Sequence, residues 1–96
     1  MAQEKQFENK VKAYLAGKKI WFIKTFGCMF QRSGIPDLLI CVNGHFVAVE
    51  LKSETGRASA LQLYNIDQIN KNNGIAMVLR PNQFEDFKKI IEKLGG

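Results

Sequence analysis

The chain has 96 residues, 46% hydrophobic and 24% charged, the balance of a single globular domain rather than of a disordered or fibrous chain. Its net charge is +5, with a pI near 9.4, and no apolar run approaches the roughly 18 residues of a membrane helix. The opening Met1-Ala2-Gln3-Glu4-Lys5 lacks the apolar stretch of a secretory signal, and two cysteines are too few for a disulfide scaffold, so a reducing, cytoplasmic setting is expected.

Phe7, Val11, Tyr14 and Leu15 form one stripe at helical spacing, predicting an amphipathic helix over residues 3–16 that Gly17 ends. Residues 20–26 are aromatic and branched and read as a strand, and residues 27–36, with Gly27, Gly34 and Pro36, read as a loop. Residues 37–42 form a short apolar strand and residues 45–51 another. Asn43-Gly44 between them is a strong hairpin signal, because a type I′ turn needs positive φ at both central positions. A polar loop over residues 53–58 precedes a helix over residues 59–72, with Leu63, Ile66 and Ile69 near one face and Asn73-Gly74 as its C-terminal pair. Residues 75–79 form a fourth strand. Pro81-Asn82 breaks it, Asn82 and Glu85 fit a capping box, and Phe84, Phe87, Ile91 and Leu94 line a last helix. The order α-β-β-β-α-β-α predicts an α/β fold in three layers, a mixed four-stranded sheet flanked by helices.

Charge is unevenly spread: residues 1–36 carry +5, residues 37–56 carry −2 and residues 57–96 carry +2. A positive body with an acidic middle suits a polyanion approached through a cation site. Lys10, Lys12, Lys18, Lys19, Lys24 and Arg32 are the leading phosphate contacts. The hairpin register sharpens the chemistry. A two-residue turn at Asn43-Gly44 sets Val42 opposite His45 and, without a bulge, Asp37 opposite Glu50 on the same face. Two like charges so placed destabilise a sheet unless a divalent cation or a shared proton compensates them. Lys52 leaves the same face one pleat beyond Glu50, and the Leu51 carbonyl lies near the same point. A cation held there offsets phosphate charge and lowers the pKa of water, while the lysine orients that water or stabilises developing negative charge. The ordinary alternative is an Asp–Lys–Glu cluster on a solvated edge strand, whose exposed ion pairs are worth about 0–1 kcal/mol.

Gly34-Ile35-Pro36-Asp37-Leu38-Leu39, followed by Glu50-Leu51-Lys52, resembles the PD-(D/E)xK nuclease signature, and the surrounding residues are similar to its virus-type replication-repair nuclease branch, the VRR-NUC domains. The resemblance spans almost the whole chain, 1–96, as a single nuclease-like domain, and implies a restriction-endonuclease-like core. It implies that Asp37, Glu50 and the Leu51 carbonyl hold Mg²⁺ or Mn²⁺, that Lys52 is the catalytic lysine, and that Glu8, on the first helix, approaches the metal directly or through water. Gln62 matches the glutamine that supports the active site, although Ser59-x-x-Gln62 is itself a capping box. The implied activity is hydrolysis of branched DNA such as Holliday junctions by a homodimer, since small stand-alone members resemble junction resolvases. Gln31, Arg32 and Ser33 lead into Asp37, and Arg57 follows Lys52, so these residues, with Lys10 and Lys24, are candidates for the DNA backbone.

Trp21, Phe22, Phe26, Met29 and Phe30 supply core, interface or both, with core the commoner use. Cys28, Cys41 and His45 fit no zinc spacing and lack a fourth ligand, so Cys41 is expected as a small core residue and His45 at the surface. Nucleotide-binding glycine loops and a serine-hydrolase constellation are missing. The alternative function is a nuclease-like fold that binds nucleic acid without cleaving it, and a basic RNA-binding domain is a further rival.

Overall fold

The computed structural model describes residues 2–26 and 33–96 of the chain. In chain order these form α1 (Ala2–Gly17), β1 (Trp21–Lys24), β2 (Leu38–Val42), β3 (His45–Leu51), α2 (Ala60–Lys71), β4 (Ile75–Leu79), a short 3₁₀ turn (Pro81–Gln83) and α3 (Phe84–Lys93). The strands make one mixed sheet in the order β1-β2-β3-β4. The first three are antiparallel neighbours, and β4 runs parallel to β3 after the α2 crossover. The expected α/β class and element order are observed.

Strand alternation divides the sheet into two faces. Phe22, Leu38, Ile40, Val42, Val47, Val49, Leu51 and Leu79 pack with Phe7, Val11 and Leu15 of α1 and Phe87 and Ile91 of α3 into one core. Edge-to-face contacts of Phe84 with Phe7 and Tyr14, at centroid separations of 5.8 and 6.0 Å, join the two helices. The stripes expected on the first and last helices are therefore the ones that bury. On the other face α2 reaches Glu50 through Gln62 and β4 through Asn70, whose side chain exchanges two hydrogen bonds with the Ala76 backbone.

The β2–β3 turn has the backbone its sequence demands: Asn43 has φ 50° and Gly44 φ 82°, and Val42 pairs with His45. With no bulge to shift it, this register runs on to Leu38 opposite Val49. Asn73, at φ 70°, supplies the left-handed residue after α2.

Several expectations need correction. Cys41 is exposed rather than core, because alternation puts it beside Trp21 and Phe46 on the half of the sheet that α2 does not reach. Trp21 and Phe26 are 61% and 71% exposed, so of the uses left open to them the core is not the one taken. Leu63 projects outward, since the inward side of α2 is set by Gln62, Asn65, Ile66 and Ile69, one helical turn apart. The expected capping by Asn82 and Glu85 gives way to a pairing two residues earlier, in which Gln83 Oε1 accepts from the Arg80 N–H at 3.0 Å at the start of the 3₁₀ turn. Cys28, Met29, Phe30, Gln31 and Arg32 lie outside the described residues.

Gly34 joins the entry to β2 with α2. Its φ is +80°, and a Cβ there would lie 2.7 Å from Leu61 Cγ and 2.9 Å from the Leu61 backbone carbon. Both the left-handed backbone and the close approach require glycine. Gly34→Ala is expected to destabilise the fold by about 1–3 kcal/mol, read as a lowered midpoint in urea at unchanged slope. An unchanged midpoint would show that α2 and this loop do not pack as described.

Candidate active site

The acidic centre forms where β2 begins and β3 ends. Asp37 precedes the first ladder residue of β2, and its Oδ2 accepts from the Leu51 N–H at 2.9 Å, in the place of a ladder carbonyl. Thr25 holds this entry from the β1 side: its N–H donates to the Asp37 carbonyl at 2.8 Å and its hydroxyl to the Pro36 carbonyl at 2.8 Å. A strand residue's N–H and C=O point toward the same neighbouring strand, so the Leu51 carbonyl is also directed to the Asp37 side.

Glu50 is 2% exposed. Its Oε2 accepts from Gln62 Nε2 at 2.8 Å and lies 3.3 Å from Lys52 Nζ. Its Oε1 is buried and has no hydrogen-bond partner among the described residues. Burial raises the Glu50 carboxyl to about 7, helped by the negative charge of Asp37 and by a carboxyl–carboxyl contact with it, and opposed by Lys52. The lysine reaches the glutamate from one pleat along the strand, as the period of two requires.

Gln62 is at once the capping residue expected from Ser59-x-x-Gln62 and a hydrogen-bond partner of Glu50. Its Oε1 accepts from the Ser59 N–H at 2.7 Å while its own N–H donates to Ser59 Oγ at 3.1 Å, completing the capping box at the start of α2. Its Nε2 is left to hold Glu50. The helix start and the acid are thereby fixed by one side chain.

Glu8 is buried on α1 and surrounded by lysines: Lys12 Nζ lies 2.9 Å and Lys5 Nζ 3.4 Å from Oε2, and Lys24 Nζ 3.1 Å from Oε1. Burial alone would push this carboxyl up, but hydrogen bonds from Lys12 and Lys24 hold it near 2. Lys24 also lies 3.5 Å from Asp37 Oδ1, so one ammonium bridges the first-helix acid to the hairpin acid. Among the described residues no three His, Cys, Asp or Glu side chains gather into a metal-holding cluster. Glu8 therefore meets Asp37 through Lys24 rather than through a shared cluster of acids.

Of the expected DNA contacts, Lys10, Ser33 and Arg57 are exposed and Lys24 is partly covered beside Glu8 and Asp37, while Gln31 and Arg32 lie outside the described residues. Two supporting residues escaped the sequence reading. Asn65 is buried and donates to the carbonyls of Leu61 at 3.0 Å and Gly34 at 3.2 Å, tying α2 to the segment that enters Asp37. Arg80 Nη1 donates to the carbonyls of Ser53 at 2.7 Å and Gly56 at 2.6 Å, pinning the loop after Lys52. Asn65 had a detectable signal, a polar side chain one turn beyond Gln62 on the inward face of α2. Arg80 had none.

No protein-family model, no curated protein and no solved structure matches this chain.

The acid pair fits a hard divalent cation on its own chemistry. Two carboxylates and a backbone carbonyl are oxygen donors, and a buried carboxylate oxygen with no partner is the feature a cation would satisfy. Without one, ionising Glu50 opposes folding. Its carboxyl titrates at about 7 in the fold against an ordinary 4.5, so the folded state holds a proton that the unfolded chain has released. Stability should fall as pH rises through that interval and level off above it. In EDTA at pH 8, Glu50→Gln should raise the melting temperature by at least about 4 °C, equivalent to about 1 kcal/mol in a domain of this size, and the gain should vanish below pH 4.5. A pH-independent difference would contradict this account of the acid pair.

Proposed function

We propose that the chain is a metal-dependent, structure-selective DNA endonuclease with a restriction-endonuclease-like core, related to the VRR-NUC branch of PD-(D/E)xK nucleases. One observation carries the reading: Glu50 is buried beside Asp37 with one carboxylate oxygen unpartnered among the described residues, and Lys52 Nζ lies 3.3 Å from its other oxygen. A solvated ion-pair cluster would not bury the acid this deeply, and binding of nucleic acid alone needs no such trio.

Asp37, Glu50 and the Leu51 carbonyl would hold Mg²⁺ or Mn²⁺, and the cation would neutralise phosphate charge and acidify water. The protein's own groups do the positioning. Gln62 fixes one Glu50 oxygen, the Leu51 N–H fixes one Asp37 oxygen, and each acid is left with a second oxygen directed elsewhere. Lys52 presents its ammonium beside the acids, where it orients the attacking water and stabilises charge that develops on the phosphate oxygens during in-line attack on phosphorus. Glu8 supports the site through Lys24. Exposed Lys10, Ser33 and Arg57 and the overall +5 charge suit the DNA backbone.

Branched DNA and a homodimer belong to the same proposal. Trp21 is 61%, Ile23 44% and Phe46 45% exposed, and alternation sets them on one sheet face with Cys41 between Trp21 and Phe46. Such an apolar row supports self-association, and a two-fold pair would offer two sites to a four-way junction. The polypeptide has no helix, among the described residues, long and apolar enough to cross a membrane.

A labelled panel of four-way junction, flap, nicked, duplex and single-stranded DNA tests the proposal directly. Cleavage is expected with Mg²⁺ or Mn²⁺, strongest on a branched substrate and abolished by EDTA. Lys52→Ala should lower the rate by at least about a hundredfold while leaving the melting transition and junction affinity nearly intact. Binding without hydrolysis of any substrate would favour the non-catalytic binding module instead.

A further inference from the structure

Among the described residues, each carboxylate oxygen at this centre except Glu50 Oε1 has a protein partner, and for Asp37 Oδ1 that partner is Lys24. Lys24 is anchored at 3.1 Å by Glu8 and reaches Asp37 at 3.5 Å, with only 24% of its side chain exposed. Glu8, for its part, does not depend on Lys24 for charge balance, because Lys5 and Lys12 already lie on its other oxygen. Three ammonium groups around one carboxylate leave a local positive surplus right beside Asp37. From this arrangement we infer that Lys24 is a built-in counter-ion that competes with the divalent cation for Asp37, and that is released toward a DNA phosphate when the cation binds. The inference rests on the reading of Asp37 and Glu50 as the cation site.

The physical reason is that Asp37 Oδ2 is taken by the Leu51 N–H, so a cation held by Asp37 needs the Oδ1 that Lys24 contacts, and an ammonium and a divalent cation repel each other at one oxygen. In the free protein the lysine lowers the repulsion between Asp37 and Glu50 at the cost of weaker cation binding. Once a cation takes over that compensation, Lys24 retains only the Glu8 anchor and swings away on its flexible stem. A phosphate on the same side offers it a new anionic partner. Cation and DNA then bind with positive coupling, and by linkage each tightens the other.

The test uses Mn²⁺ alone on the full chain, with free Mn²⁺ followed by electron paramagnetic resonance. Lys24→Met should bind Mn²⁺ at least about fivefold more tightly than the wild type, within the usual range for coupled sites. Lys12→Met, which removes an equal charge that touches only Glu8, should change affinity by less than about twofold, a Coulomb effect weakened by distance. Lys24→Gln, which keeps a donor for Glu8, should behave as Lys24→Met does and guards against a folding defect in that variant. In a second measurement, Ca²⁺ should tighten binding of a fluorescent four-way junction to the wild type, and this gain should be lost in Lys24→Met but kept in Lys12→Met. Equal Mn²⁺ affinity in wild type and both Lys24 variants, with binding abolished by Asp37→Asn, would overturn the role of Lys24 and leave the cation site standing. Equal gains from the Lys24 and Lys12 variants would overturn it too, as a general charge effect. Mn²⁺ binding unaffected by Asp37→Asn would remove the cation site itself, and this inference with it.

Discussion

The local structure around the hairpin is organised by the repulsion between Asp37 and Glu50. Two carboxylates brought together, one of them buried, repel each other unless compensated, and among the described residues Glu50 Oε1 has no partner. The surroundings supply partial compensation from three directions: the Leu51 N–H to Asp37, Gln62 and Lys52 to Glu50, and Lys24 between Asp37 and Glu8. Leu51 and Lys52 stand at the end of β3, Gln62 on α2 and Lys24 on β1 with its anchor Glu8 on α1, so the sheet, α1 and α2 all meet at this point. What remains uncompensated is the oxygen to which we assign the cation. The arrangement gives up stability at the place where the proposed chemistry needs a poised acid.

The frame that holds the pair is simple. A type I′ turn locks the β2–β3 register, and that register decides which side chains stand opposite one another. One core of α1, α3 and the inner sheet face keeps the hairpin rigid, while α2 on the other face delivers Gln62 and, through Asn65 and Gly34, fixes the chain where it enters Asp37. Gln62 links secondary structure to site chemistry most directly, because its carbonyl end starts a helix and its amide end orients a carboxylate. A substitution there would loosen both.

Much of this was legible in the residues because it depends on short-range rules. Positive φ at Asn43 and Gly44, alternation along β3 and the helical stripes of α1 and α3 are local consequences of side-chain shape and period, and together they place Asp37, Glu50 and Lys52 in one corner. What was not legible depends on which faces other elements cover. Cys41 and Leu63 look like core residues by type, yet α2 spans only part of its sheet face and turns its polar Gln62–Asn65 side inward. Lys24 alternates onto the face of α1, where its long stem finds both Glu8 and Asp37, a meeting of three separate segments that no spacing encodes. Arg80 reaches back over the Ser53–Gly56 loop for the same tertiary reason.

Diffraction from crystals grown with Mn²⁺, recorded at the manganese edge, tests the central claim most directly. The account predicts an anomalous peak between the Asp37 and Glu50 carboxylates, on the side of the Leu51 carbonyl, with Glu50 Oε1 among its ligands. An empty corner at saturating Mn²⁺, or a peak found only elsewhere on the chain, would contradict it.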